Sequence, residues 1–194
     1  MADKTPALPP IASAACATAS WAVALAAAAH TGGPALAASV VGWTMLHVLF
    51  ATLFIRTKGD VHIGGYPAWS YVASLLHGGV IVPTLFFTCL WLLPRDLWHA
   101  DAFLRAAWGA GPFAAVLAQI HAAVLAYMLK DFHLCEAVEV GYAVHHVVAT
   151  LGCALCFLMP FAAGLTTFNA MQCVKAPPLL RASPRRSRPP RSEC

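Results

Sequence analysis

The sequence has 194 residues, of which 60% are hydrophobic and only 10% are charged. Soluble domains usually carry about 25% charged residues, so a globule of this composition could not cover its surface with polar groups in water. The composition therefore predicts an integral membrane protein and argues against a soluble enzyme domain, and the length suits a single domain.

The first apolar segment, residues 11–29, is rich in Ala and uncharged, and it follows a short tail at residues 1–10. Its length fits a transmembrane helix, which needs about 20 apolar residues. A signal or organelle-targeting peptide is the alternative, but the tail holds one Lys and one Asp and is not strongly basic. Residues 30–34 read His-Thr-Gly-Gly-Pro and predict a tight turn, so residues 11–33 form the first span and its turn.

The rest of the apolar sequence divides into further spans. We predict membrane helices at residues 35–55, 69–93, 112–129 and 137–158 and a weaker segment at 161–174. Pro83 is expected to kink the third span, and residues 130–136 to form a short charged break. The predicted fold is an all-α polytopic transmembrane helix bundle, with five full spans plus a short sixth segment.

The basic residues are distributed unevenly. Six of the twelve Lys and Arg lie in residues 175–194, a Pro/Arg/Ser-rich tail that we predict to be disordered. The change of composition is abrupt enough to suggest a truncated or alternative C-terminal end. With six crossings, ten of the twelve basic residues fall on one side, against Arg95 and Arg105 on the other. This asymmetry predicts cytosolic termini, and no fold that binds nucleic acid is present.

Several ionisable residues fall inside or beside the predicted spans. Such residues are functional candidates by default, because they are costly at membrane depth. The histidines are His47, His77, His121, His145 and His146. A histidine of the 145–146 pair could act as a general base or nucleophile, with Asp131 fixing its tautomer. The alternative is that these groups only form hydrogen bonds between helices.

The same residues could also bind a cofactor. His77 or His121 with His145 could supply two axial haem ligands in an electron-transfer protein. Cys153 and Cys156 have a C-x-x-C spacing but lack a second pair, so we assign them to helix packing and expect no metal site. No cofactor is predicted.

Two stretches carry a family resemblance. Tyr127-Met-Leu-Lys130-Asp131, followed by Tyr142-Ala-Val-His145-His146, resembles the TLC domain family of membrane proteins, which includes ceramide synthases. Ser70 to His77 is similar to the family's Ser/Thr-x-x-His helix start. The resemblance covers residues 34–174 and implies a helix bundle around a lipid-accessible cavity, with His145, His146 and Asp131 as catalytic residues.

The likeness is closer to the non-synthase members of that family. Ala149 stands where synthases tend to have Thr, and Glu193 is the only acidic residue after the predicted fifth span. The resemblance therefore implies lipid homeostasis or lipid handling in the endoplasmic reticulum or another endomembrane, with membrane lipids as partners. The alternative is an acyltransferase of the ceramide synthase type, which would use acyl-CoA and a sphingoid base.

Overall fold

The computed structural model describes residues 9–59, 61–63, 66–92, 111–134 and 140–158, and nearly all of them are helical. In chain order the helices are α1 (Pro10–Lys58), α2 (Ala68–Leu75), α3 (Val82–Trp91), α4 (Pro112–Leu129), α5 (Asp131–Leu134) and α6 (Val140–Leu158). A π-helical segment, Leu76–Ile81, joins α2 to α3. Two short antiparallel strands, β1 (His62–Ile63) and β2 (Tyr66–Pro67), lie between α1 and α2.

Within the described residues, three helical stretches are long and apolar enough to cross a membrane: Pro10–Lys58, Ala68–Trp91 and Pro112–Leu134. They fit an integral membrane protein and confirm the predicted helical fold class. The number of full crossings stays a prediction. The predicted sixth segment at 161–174 and the tail at 175–194 lie outside the described residues.

The long helix α1 is broken where the sequence predicted a turn. Gly32 (φ −127°, ψ 16°) and Gly33 (φ 66°, ψ −167°) leave helical geometry, and Pro34 begins the helix again. The Gly33 conformation lies in a region that is essentially restricted to glycine, because a side chain would clash there. The break divides α1 into a first arm, residues 10–31, and a second arm, residues 34–58.

The two arms run in opposite directions along α4. In the first arm, Trp21 Nε1 donates to His133 Nε2, just beyond the C-terminal end of α4. In the second arm, Trp43 Nε1 donates to the Gln119 side chain in the first half of α4. One helical turn later, His47 lies against Tyr127 near the end of α4. The second arm is therefore parallel to α4, and the first arm is antiparallel to it.

Helix α4 lies at the centre of the bundle. One side packs into a core with both arms of α1 and with α6, in which Leu36, Leu125 and Phe157 are buried. The other side contacts α3, where Leu117 and Ile120 meet the buried residues of that helix. Several buried positions of α4 are alanines, and small side chains let membrane helices approach closely.

The third predicted span departs from α-helical geometry earlier than we expected. The sequence predicted a kink at Pro83, but the departure lies one turn before it, where the Val82 N–H donates to the His77 carbonyl five residues back. Trp69, Ala73, His77 and Ile81 are all buried, at a spacing of four residues. An α-helix with 3.6 residues per turn drifts about 40° at each such step. The wider π turn reduces this drift and keeps His77 and Ile81 on the inner face.

Large apolar side chains cover the outside of the bundle. Those that are exposed include Met45, Leu49, Leu53, Phe87, Leu90, Trp91, Val144, Val148, Leu151 and Leu155. Such contiguous apolar surface is unusual on a soluble monomer. A hydrocarbon environment around these helices accounts for it.

Candidate functional site

A buried ion pair lies where α4 ends and α5 begins. Lys130 Nζ is 2.9 Å from both carboxylate oxygens of Asp131, and the two residues are 2% and 4% exposed. The same ammonium donates to the Tyr127 carbonyl at 3.1 Å and lies 3.6 Å from the centre of the Tyr127 ring. The sequence predicted a short charged break at residues 130–136, and the structure places the charges of Lys130 and Asp131 inside the bundle, where they compensate each other.

The Asp131 carboxylate also contacts α6. His146 Nε2 lies 3.4 Å from Asp131 Oδ2, and His146 Nδ1 lies 3.2 Å from the Met128 carbonyl. Both ring nitrogens thus face acceptors, and only the doubly protonated ring can donate to both. The structure therefore brings together His146 and Asp131, as the sequence suggested, and this contact holds α6 against the end of α4.

The other member of the histidine pair points elsewhere. His145 is exposed, and its ring centre lies 5.3 Å from that of His146. Adjacent helical residues point about 100° apart, so both cannot face the same interface. The buried face of α6 continues from His146 through Thr150 to the half-buried Cys153. Glu139, which lies seven residues before His146 in the sequence, is outside the described residues.

A second group of rings lies on the other side of Tyr127. The His77 ring stacks on the Tyr127 ring with centres 4.4 Å apart, and His47 lies 5.3 Å from His77 and 5.8 Å from Tyr127. The Tyr127 hydroxyl shares a hydrogen bond with Ser74 of α2. Tyr127 therefore connects the ion pair on its one side with two buried histidines.

Only one of the four ring nitrogens of these two histidines has a hydrogen-bond partner among the described residues. His47 Nδ1 lies 2.7 Å from the Trp43 carbonyl oxygen, which can only accept a hydrogen bond. Nδ1 of the neutral ring therefore carries the proton, and Nε2 is unprotonated. In the described part of the chain, His47 Nε2 and both ring nitrogens of His77 are buried without a hydrogen-bond partner. A buried, unprotonated imidazole nitrogen is a potential base, hydrogen-bond acceptor or metal ligand.

We call the whole assembly the polar cluster. It consists of His47, Ser74, His77, Tyr127, Lys130, Asp131 and His146. These residues come from four parts of the fold: the second arm of α1, the α2 helix and its π-helical segment, the junction of α4 and α5, and α6. Within the described residues, no group of three or more His, Cys, Asp or Glu side chains is placed to hold a metal ion. The ring neighbours of His77 are His47 and Tyr127, and the haem alternative, which pairs His77 or His121 with His145, stays a prediction.

The sequence did not indicate the roles of Tyr127 and Lys130. Their spacing of three residues places them on one helical face, which could have suggested a shared environment. His47 and His77 were identified as intramembrane histidines, with hydrogen bonding between helices as the alternative to a functional role. Their proximity depends on which helices are neighbours, and single-helix patterns do not contain that information.

Two surface cavities lie away from the polar cluster. An apolar groove of about 280 Å³ runs between the first arm of α1 and α6, where Val23, Ala27 and Leu155 line it. A second cavity of about 300 Å³ lies beside Gly32 and is lined in part by Gln119 and Ser39. The first groove has the apolar lining that a lipid chain requires.

Four separate parts of the fold thus bring one compensated ion pair, a tyrosine and three histidines into a common buried region. Comparison with models of protein families, with curated proteins and with solved structures finds no match for this chain.

Proposed function

We propose that this chain is a multi-pass membrane protein that acts in lipid homeostasis or lipid handling, with the TLC-like character that the sequence suggests. The polar cluster carries this proposal. Charged and polar groups at membrane depth are costly, and where they occur they usually face a bundle interior and serve a function. An ion pair less than 5% exposed, surrounded by histidines on neighbouring apolar helices, is such a case.

We propose five full crossings and a short sixth segment, with both termini in the cytosol of an endomembrane such as the endoplasmic reticulum. The antiparallel arms of α1 support counting that helix as two crossings, since each arm is about 33–37 Å long at 1.5 Å per residue. Lys130 is ion-paired and adds little to the charge asymmetry. Without it, nine basic residues still lie on the predicted cytosolic side of the membrane and two on the opposite side. Glycosylation-acceptor sites inserted at the termini and at residue 97 test this: we expect modification only at residue 97.

The test of lipid handling is a lipid comparison of cells with and without the full chain. Cells that express the wild type should differ in at least one lipid class from cells that lack it. Asp131→Ala should abolish the difference, whereas Thr57→Ala, on an exposed turn of the second arm, should retain it. Equal expression of the three proteins is the control. An unchanged lipid composition with and without the wild-type chain would refute the proposal.

A second candidate function is acyl transfer from acyl-CoA to a sphingoid amine. The contact between Asp131 and His146 favours it, because a carboxylate that orients an imidazole is typical of acid–base catalysis. The amine nitrogen would form a bond to the thioester carbonyl carbon, the C–S bond would break, and the amine proton would leave through a base as the CoA thiolate departs. Purified protein should then form the amide, and His145→Ala combined with His146→Ala should abolish it. Full activity of the double variant would exclude this role.

A further inference from the structure

We propose that His47 and His77 form a binding site for the hydroxyl or amine head of a lipid. The site lies between the second arm of α1 and the π-helical segment, beside Tyr127. It deepens the proposed role in lipid handling and rests on it. It assigns a binding role to two histidines that lie outside the Asp131–His146 contact.

The hydrogen-bond roles of His47 limit what can bind. Its Nδ1 proton is committed to the Trp43 carbonyl, so the buried Nε2 presents a lone pair and no proton. A ligand at this nitrogen must therefore supply a donor, as an O–H or N–H group does. An ether, ester or hydrocarbon supplies none.

His77 provides the complementary group. Neither ring nitrogen has a hydrogen-bond partner among the described residues, and in either neutral tautomer one nitrogen donates and the other accepts. Its ring centre is 5.3 Å from that of His47, so a group bound at one ring lies next to the other. A hydroxyl group that donates to His47 and accepts from His77 satisfies two nitrogens that are otherwise buried without partners, which is a costly state.

The backbone conformation at His77 also supports a binding site at this position. His77 belongs to the π-helical segment Leu76–Ile81. Short π-helical turns within α-helices are uncommon and occur frequently at functional sites. In this chain the wide turn places the unpartnered His77 ring on the inner face, stacked on Tyr127.

The charges around the site disfavour an anionic ligand. The nearest cation, Lys130, is already compensated by Asp131 at 2.9 Å from both oxygens. The lone pair of His47 Nε2 would also oppose a carboxylate or phosphate. We therefore expect the site to select an alcohol or an amine over an acid of the same chain length.

The experiment uses the full chain in lipid nanodiscs and four photoreactive, alkyne-tagged lipids of equal chain length. They are a long-chain alcohol, a long-chain amine, the methyl ether and the carboxylic acid. The alcohol or the amine should label residues 34–58 or 68–91 about fivefold more than the ether and the acid, which corresponds to one hydrogen bond. The separate alcohol and amine probes show which of the two head groups is bound.

Variants locate the site. His77→Phe and His47→Phe should each reduce labelling to the level of the methyl ether. His121→Phe is the matched control, because His121 is an equally buried histidine that lies against Phe157 instead of the cluster, and it should label as the wild type does. If the histidine variants at the site do not fold, the head-group selectivity of the wild type still decides the question.

Several results would overturn the proposal. Equal labelling by alcohol, amine and ether would mean that a buried water, or nothing, satisfies these nitrogens. Preferential labelling by the acid, or an equal loss in His121→Phe, would also contradict it. If the chain changes the lipid composition of cells but shows no head-group selectivity in nanodiscs, the proposed role in lipid handling stands and the His47–His77 site is refuted. If neither the lipid change nor the selectivity is found, both proposals are refuted.

Discussion

Substituting Asp131 by Asn tests the central ion pair. The change keeps the side-chain size but leaves the Lys130 ammonium, which is 2% exposed, without its carboxylate. Removing one partner of a buried pair costs about 3–5 kcal/mol, because the remaining charge is neither hydrated nor compensated. A domain is typically stable by only about 5–15 kcal/mol, so Asp131→Asn should lose a large fraction of its folding free energy.

The assay is equilibrium unfolding of the purified full chain in mixed detergent micelles. The matched control is the double variant Lys130→Met with Asp131→Leu, in which no charge remains buried. Replacing a buried pair by apolar side chains is often neutral, so the double variant should be more stable than Asp131→Asn by about 2 kcal/mol or more. A loss below about 1 kcal/mol in Asp131→Asn, or a double variant that is no more stable than Asp131→Asn, would refute this reasoning.

Three further predictions concern the bundle. Gly33→Ala should lower the unfolding free energy by about 1–3 kcal/mol, because the combination of φ +66° and ψ −167° is essentially restricted to glycine. Gly42→Ala, where an added Cβ meets nothing within 4 Å, should not lower it, and equal thermal midpoints of the two variants would contradict this. Gln119→Leu removes two hydrogen bonds to the second arm and should cost about 1 kcal/mol in denaturant titration, so an unchanged midpoint would count against those bonds. Tyr127→Phe and Ser74→Ala remove the same hydroxyl contact, so a double-mutant cycle should show less than additive loss; full additivity would mean that the contact does not form.

Local sequence signals predicted the individual helices well. The fourth span was predicted at residues 112–129, and α4 has those bounds, because a proline begins it and the apolar run ends at Lys130. The break in α1 was predicted from Gly32, Gly33 and Pro34, which disfavour a continuous helix. These features depend on the chemistry of a few neighbouring residues, which the sequence states directly.

The relations between helices could not be predicted in the same way. Lys130 was predicted to begin a short charged break, and its burial depends on the carboxylate beside it and on the packing of α6 over both. His47 and His77 are 30 positions apart, and only the pairing of the second arm with the π segment brings their rings together. The polar cluster is therefore a property of tertiary packing, whereas its histidines and Asp131 could be identified one by one from the sequence.

The π-helical segment also sets the rotational phase of the span that contains it. A five-residue hydrogen-bond spacing accommodates one residue more than an α-helical turn, which corresponds to about 100° of rotation. Deleting one residue from 76–81 and restoring an α-helix would turn α2 and α3 relative to each other by that angle. His77 could then stack on Tyr127, or Cys89 could face α4, but not both. The extra residue thus lets a single helix serve the polar cluster at one end and the apolar core at the other.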